Sequence, residues 1–132
     1  MDKAKSQRAG AKSWLTRSEN ALKTVITRSA AEFDAAPATS KKKLEIALRD
    51  FDARLAAYDA AQQTVEELLK EEEMEAEITA TGAYRDGVME TRCEAEVALD
   101  QYAQAMAPPN PSLPSVAELL IELLGQVYGE TP

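Results

Sequence analysis

From residue 44 to residue 69 the chain carries an apolar row that advances by alternating steps of four and three: Leu44, Leu48, Phe51, Leu55, Tyr58, Gln62, Val65 and Leu69. Seven of these eight positions are apolar, and Gln62 alone interrupts them. A repeat averaging about 3.5 residues puts all eight side chains on one narrow stripe of an α-helix. Such a stripe is stable only when another helix covers it. The row therefore predicts helix packing, within the chain or against a partner.

The rest of the composition agrees with helices. The 132 residues bound one domain, or one domain and a tail. Alanine is abundant, aromatics make up 5% and there are 5 glycines, a helix former's balance. Large apolar side chains are too few for a thick globular core, and an elongated bundle needs fewer. The single Cys93 rules out an internal disulfide framework and fits a reducing compartment. No apolar run is long enough to span a bilayer. The opening Met1-Asp2-Lys3-Ala4-Lys5 lacks a signal peptide's apolar stretch, and Asp2 excludes N-myristoylation. These features predict a cytoplasmic protein with no transmembrane segment.

Punctuation divides the chain into segments. Residues 1–10 are polar and predict a flexible N-terminus. A first helix is expected from about 11 to 31, with Trp14, Leu15, Leu22, Val25 and Ile26 on its packed side and Phe33 stapling its exit. Trp14 and Phe33 read as core. Ala35-Ala36-Pro37-Ala38-Thr39-Ser40 is a turn, with Pro37 in the first turn of the next helix and Thr39 or Ser40 as its cap. The second helix carries the apolar row to about residue 70. A break is expected between 69 and 73, where the heptad phase stops and Glu71-Glu72-Glu73 suits a new first turn; Thr79-Ala80-Thr81-Gly82 is the alternative.

The third helix, from about 73 to 106, turns Met74, Ile78, Tyr84 or Arg85, Val88, Ala95, Leu99, Tyr102 and Met106 inward. Gly82 and Gly87 inside it predict a close helix approach or a kink. Cys93 reads as a small, buried or half-buried apolar residue. A Pro-rich linker follows at 108–114. Residues 115–132 predict a short helix and tail, or the start of a following domain. Ser115 with Glu118 forms a capping box, and Val116, Leu119, Leu120 and Leu123 make it a candidate docking helix. The predicted fold is all-α: an antiparallel, coiled-coil-like three-helix bundle over 11–107 with this short C-terminal helix behind it.

The formal net charge of −8 is unevenly spread. Residues 1–30 hold seven Lys or Arg against Asp2 and Glu19, a balance of +5. Residues 71–106 hold Arg85 and Arg92 against ten carboxylates, a balance of −8. The basic segment either lies beside the acidic one in the bundle or touches RNA or an anionic membrane surface. Lys41, Lys42 and Lys43 sit at the wrong end of a helix dipole for cations. With Lys3, Lys5, Arg8 and Lys12 they form a candidate basic patch.

The chemistry of catalysis is sparse. There is no histidine, the commonest general base and metal ligand. One cysteine makes no zinc site, and no glycine-rich loop cradles a phosphate. The acidic Glu71-Glu72-Glu73-Glu75-Glu77 lacks the spacing and glycine of a calcium loop. No aromatic-interleaved nucleic-acid module is present. These residues predict no enzyme activity, no cofactor, no metal and no small-molecule substrate.

The order of segments has a further likeness. Leu15-Thr16-Arg17 with its amphipathic helix is followed by Leu55 to Asp59 with Gln62 or Gln63. Then come Val65-Glu66-Glu67-Leu68-Leu69-Lys70-Glu71-Glu72-Glu73-Met74-Glu75-Ala76-Glu77-Ile78 and Tyr84-Arg85-Asp86 with Val88. This layout resembles the N-terminal helical region of Gag-like polyproteins of Bel/Pao-type LTR retrotransposons. In that family a proline-punctuated linker leads from such a region into the Gag body. Leu124-Gly125-Gln126-Val127-Tyr128-Gly129-Glu130 is similar to the start of that body but lacks its Pro and Phe. The resemblance implies a structural domain serving self-association or assembly through helix–helix contacts, with protein partners in itself or its polyprotein. The residues alone also suit a generic intracellular coiled-coil adaptor, or weak, sequence-independent RNA or anionic-membrane binding through the basic N-terminus.

Overall fold

The computed structural model describes residues 1–107. They form three α-helices and, among the described residues, no strand: α1 Asp2–Glu32, α2 Pro37–Leu68 and α3 Glu71–Met106. The Pro-rich linker and the docking helix with Val116, Leu119, Leu120 and Leu123 lie outside the described residues.

The first ten residues, expected as a separate N-terminal segment, belong to α1. α1 starts at Asp2, whose carboxylate suits a helix N-terminus, and Lys5 N–H closes the first turn on the Met1 carbonyl at 3.0 Å. Ala4 is buried, and Arg8 bonds to both other helices. Tertiary contact outweighs the polar composition that predicts fraying.

The two turns have different causes. Between α1 and α2 the Ala36 N–H bonds the Glu32 carbonyl at 2.9 Å, and Pro37 opens α2, where its missing N–H costs nothing. Neither Thr39 nor Ser40 is the cap: Ala36 holds the N-cap position without a side-chain bond. Between α2 and α3 there is neither Gly nor Pro. Leu69 and Lys70 take extended backbone, with ψ of 148° and 152°, and three glutamates occupy the first turn of α3. The chain runs on through Thr79 to Gly82 as unbroken helix, which excludes the alternative turn.

Burial follows one rhythm in all three helices. In α2 Ser40, Leu44, Leu48, Phe51, Leu55, Tyr58, Gln62 and Val65 are buried, and Leu69 at the helix end is half-buried. In α1 Ala4, Leu15, Ser18, Leu22 and Ser29 are buried, and Arg8, Ala11 and Val25 fill the intervening steps half-buried. In α3 the buried set is Val88, Thr91, Ala95, Ala98 and Tyr102. The bulk comes mainly from α2, while Ser18, Ser29, Thr91, Ala95 and Ala98 supply small surfaces that let the helices close. Burying a leucine such as Leu15, Leu22 or Leu44 contributes about 1.5–3 kcal/mol each. α1 and α2 pair most extensively. α3 is held by its second half: no residue from 71 to 87 is buried.

Several inward assignments are corrected. Trp14 is 50% exposed, because Leu15 beside it takes the inner step. Phe33, by contrast, does staple the exit, stacked on Tyr102 with ring centroids 4.3 Å apart. On α3, Ile78 is 55% and Met106 41% exposed. Glu77 and Thr81 take the inner steps that Ile78 was expected to take, since Glu77 meets Arg8 and Gln62. Arg85 faces outward and pairs with Asp59. Cys93 is exposed. Among the described residues a Cβ added at Gly82 or Gly87 would meet nothing within 4 Å; these glycines mark no close approach of the three helices, and the helix runs through both without a break.

Candidate interaction site

Gln62, the one polar member of the apolar row, joins all three helices. Its carbonyl oxygen accepts from the Arg8 guanidinium at 3.1 Å, and its amide nitrogen lies 3.3 Å from both Glu66 and Glu77. Arg8 also pairs with Glu77. A buried amide must be satisfied, and here it is satisfied by a cation from α1 and carboxylates from α2 and α3. The break in the row is therefore a register pin.

Further polar pairs continue the alignment. Ser18 donates to Asp50 at 2.8 Å and Thr91 to Glu19 at 2.8 Å. The hydroxyls of Thr16 and Tyr84 lie 2.9 Å apart, those of Ser29 and Tyr102 3.0 Å apart. Asp52 and Asp59 on α2 receive Arg92 and Arg85 of α3. Positions 8 and 18 of α1 thus meet positions 62 and 50 of α2, and positions 62, 59 and 52 of α2 meet positions 77, 85 and 92 of α3.

That order keeps the expected basic patch apart. Arg8 sits beside Gln62, whereas Lys43 lies beside Arg28 and Glu32 at the other end of α1. From position 43 to 62 is about 28 Å along a helix at 1.5 Å per residue. Lys3, Lys5, Arg8 and Lys12 therefore form no single surface with Lys41, Lys42 and Lys43. Several of these charges are also engaged locally. Arg8 is paired with Glu77, and the Lys12 ammonium lies 4.5 Å from the Tyr84 ring centroid. Lys41 and Lys42 meet Glu45 at 2.9 and 3.8 Å. The hydrogen bond from Lys41 holds the Glu45 carboxyl below its usual pKa. Asp59 raises the pKa of Arg85, and Asp52 with Glu96 raises that of Arg92, so both stay charged. Burial pushes the Tyr58 phenol up; its ring packs edge-on against Tyr84 at 5.4 Å.

The surface feature that sequence reasoning missed is built on Trp14. Arg17, one turn along α1, places its guanidinium 5.1 Å from the indole centroid, and Arg54 of α2 stands at 4.7 Å. The indole is thus flanked by two cations, an arrangement favoured by the ring quadrupole. Among the described residues neither arginine has a carboxylate within ion-pair distance. The signal lay in the phase of α1. The steps 4, 8, 11, 15, 18, 22, 25 and 29 leave Trp14 outside, and they become visible only when Ser18 and Ser29 count as buried. Among the described residues no cluster of acidic or cysteine side chains could hold a metal ion, and no helix is long and apolar enough to cross a membrane.

Comparison of the chain with protein-family models, with curated proteins and with solved structures finds no match.

Proposed function

We propose that this chain is a non-enzymatic assembly domain. Its three helices make an antiparallel, coiled-coil-like bundle whose outer surface binds another protein, as the resemblance to the N-terminal region of Bel/Pao Gag-like polyproteins implies. Trp14 carries the reading. Tryptophan and arginine dominate the binding energy of protein interfaces, and here a half-exposed indole stands between two arginines that have no carboxylate partner among the described residues. The leucine row of α2 is covered inside one chain, so association does not need it, and the outer face of α1 and α2 is left for a partner. A partner with an apolar pocket rimmed by carboxylates would complement this face. It is either a second copy or another part of a Gag-like polyprotein, in the cytoplasm.

Trp14 is the only tryptophan, so its emission reports on its own burial. Light scattering and fluorescence across a concentration series should show larger species together with a blue shift. Trp14→Ala should abolish association while leaving helicity unchanged. A protein that stays monomeric at the highest concentration, and whose indole is unchanged by added Gag-like polypeptide, refutes the proposal.

A further inference from the structure

On the outer side of α3, Cys93, Val97 and Ala98 floor an open hollow of about 310 Å³, with Glu90, Glu94 and Gln101 around it. Val97 is 49% exposed, while Ala95, two residues away, is buried. Among the described residues neither Glu90 nor Glu94 is ion-paired. Lys23 of α1 borders the next cleft with them but pairs with Glu19. The two arginines of α3, Arg85 and Arg92, turn to Asp59 and Asp52 of α2. The hollow is therefore an apolar seat with an acidic rim.

We infer that this hollow seats Trp14 of a second copy of the chain, with Glu90 and Glu94 meeting Arg17 and Arg54 of that copy. The inference rests on the reading of Trp14 as an interface anchor and names the surface that receives it. Anchors of this kind fill pockets on the partner.

Charge selects this seat over the others. Trp14 carries Arg17 and Arg54 beside its ring, and Asp50 of α2 is engaged by Ser18. The groove of about 390 Å³ between α1 and α2 also has an apolar floor, in Val25, Ile46 and Ala47, but Arg28 and Lys43 outnumber Glu32 at its edges. The hollow beside Ile78 is walled by Gln62, Gln63 and Arg85 and offers an indole less apolar floor. Two Trp14 faces laid on each other would bring four arginines together. Like charges across an interface cost affinity, and opposite charges fix its register.

The indole and the hollow of one chain point apart. α1 meets α3 through Thr16 and Glu19, whereas Trp14 leans toward Arg54 of α2. Each contact between two copies thus leaves one indole and one hollow still to be matched. Such a heterologous contact propagates head to tail into a ring or a filament.

The test mixes two variants of the full chain. Trp14→Ala lacks the indole and keeps the hollow. Val97→Glu, at an exposed position, puts a charge in the hollow and keeps the indole. Each alone should be monomeric in light scattering at concentrations where wild type forms larger species. Mixed, they should form a one-to-one dimer and nothing larger. The emission of Val97→Glu, then the only tryptophan in solution, should shift to the blue. Should Val97→Glu lose helicity, Glu90→Arg with Glu94→Arg replaces it in the mixture. Placed instead in the Trp14→Ala chain, that arginine pair should weaken the dimer at least tenfold, and Arg17→Glu with Arg54→Glu in the other chain should recover it. Association that persists in Val97→Glu, or a mixture that stays monomeric while wild type associates, overturns the inference and leaves the Trp14 reading standing. Association that survives in Trp14→Ala overturns both. A wild type that stays monomeric overturns the inference, and the Trp14 reading falls with it only when added Gag-like polypeptide also leaves the indole unchanged.

Discussion

Replacing Gly82 or Gly87 by alanine should stabilise the protein. Both lie in the interior of α3, neither has positive φ, and among the described residues an added Cβ meets nothing within 4 Å. No strain or clash therefore offsets the gain in helix propensity, about 0.8–1.0 kcal/mol per site. The two positions are five residues apart, about 7.5 Å along the axis, on different sides of the helix, and share no packing partner. Their effects should add, to about 2 kcal/mol in the double variant. For a domain of this size each kcal/mol corresponds to about 4–8 °C in Tm.

How much of that gain reaches the global transition depends on α3. Its first half has no buried residue and is tied to the bundle by Glu77, Tyr84 and Arg85. If these bonds keep it in the cooperative unit, urea unfolding and amide exchange both record the gain. If it opens separately, exchange in residues 78–90 slows about fivefold per kcal/mol while the urea midpoint barely moves. A loss of stability in either single variant refutes the reasoning, because it would mean that a neighbour lies against one of these glycines.

Two further perturbations test other parts of the structure. Ser40 is buried and its hydroxyl has no hydrogen-bond partner among the described residues, so Ser40→Ala should raise stability by about 1 kcal/mol in denaturant unfolding; a clear decrease would show that the hydroxyl is bonded. Burial raises the Tyr58 pKa, so the fold favours the neutral phenol. That contribution is complete below the unfolded tyrosine value of about 10 and declines as pH rises through the higher folded value. Wild type should therefore lose more stability than Tyr58→Phe above about pH 10, and parallel pH profiles would contradict the assignment.

Much of the helical plan is legible in the amino-acid order. Pro37 at the start of α2, the glutamates opening α3 and the stepping of Leu44 to Val65 are local signals, carried by backbone preference and by the 3.6-residue period. Those signals are weaker in α1 and α3. There the buried steps are filled by Ser18, Ser29, Thr91, Ala95 and Ala98, small or polar residues that an apolar pattern passes over, while Trp14 and Ile78 attract the eye and stand in solvent. Hydrophobicity alone cannot phase such helices, because a hydroxyl or methyl at the seam is chosen for its size and its cross-helix bond.

The tertiary structure decided those phases. It placed Arg8 and Glu77 around Gln62, carried α1 back to Asp2, and sent Lys3 and Lys43 to opposite ends of the molecule. It also set Arg54 of α2 beside Trp14 of α1, a juxtaposition forty residues apart in sequence that only the pairing of two helices creates. Period and capping act over one or two turns and can be read along the chain. Which charges meet, and which large side chain is left outside, depends on how three rods align, and that alignment is a property of all their contacts together.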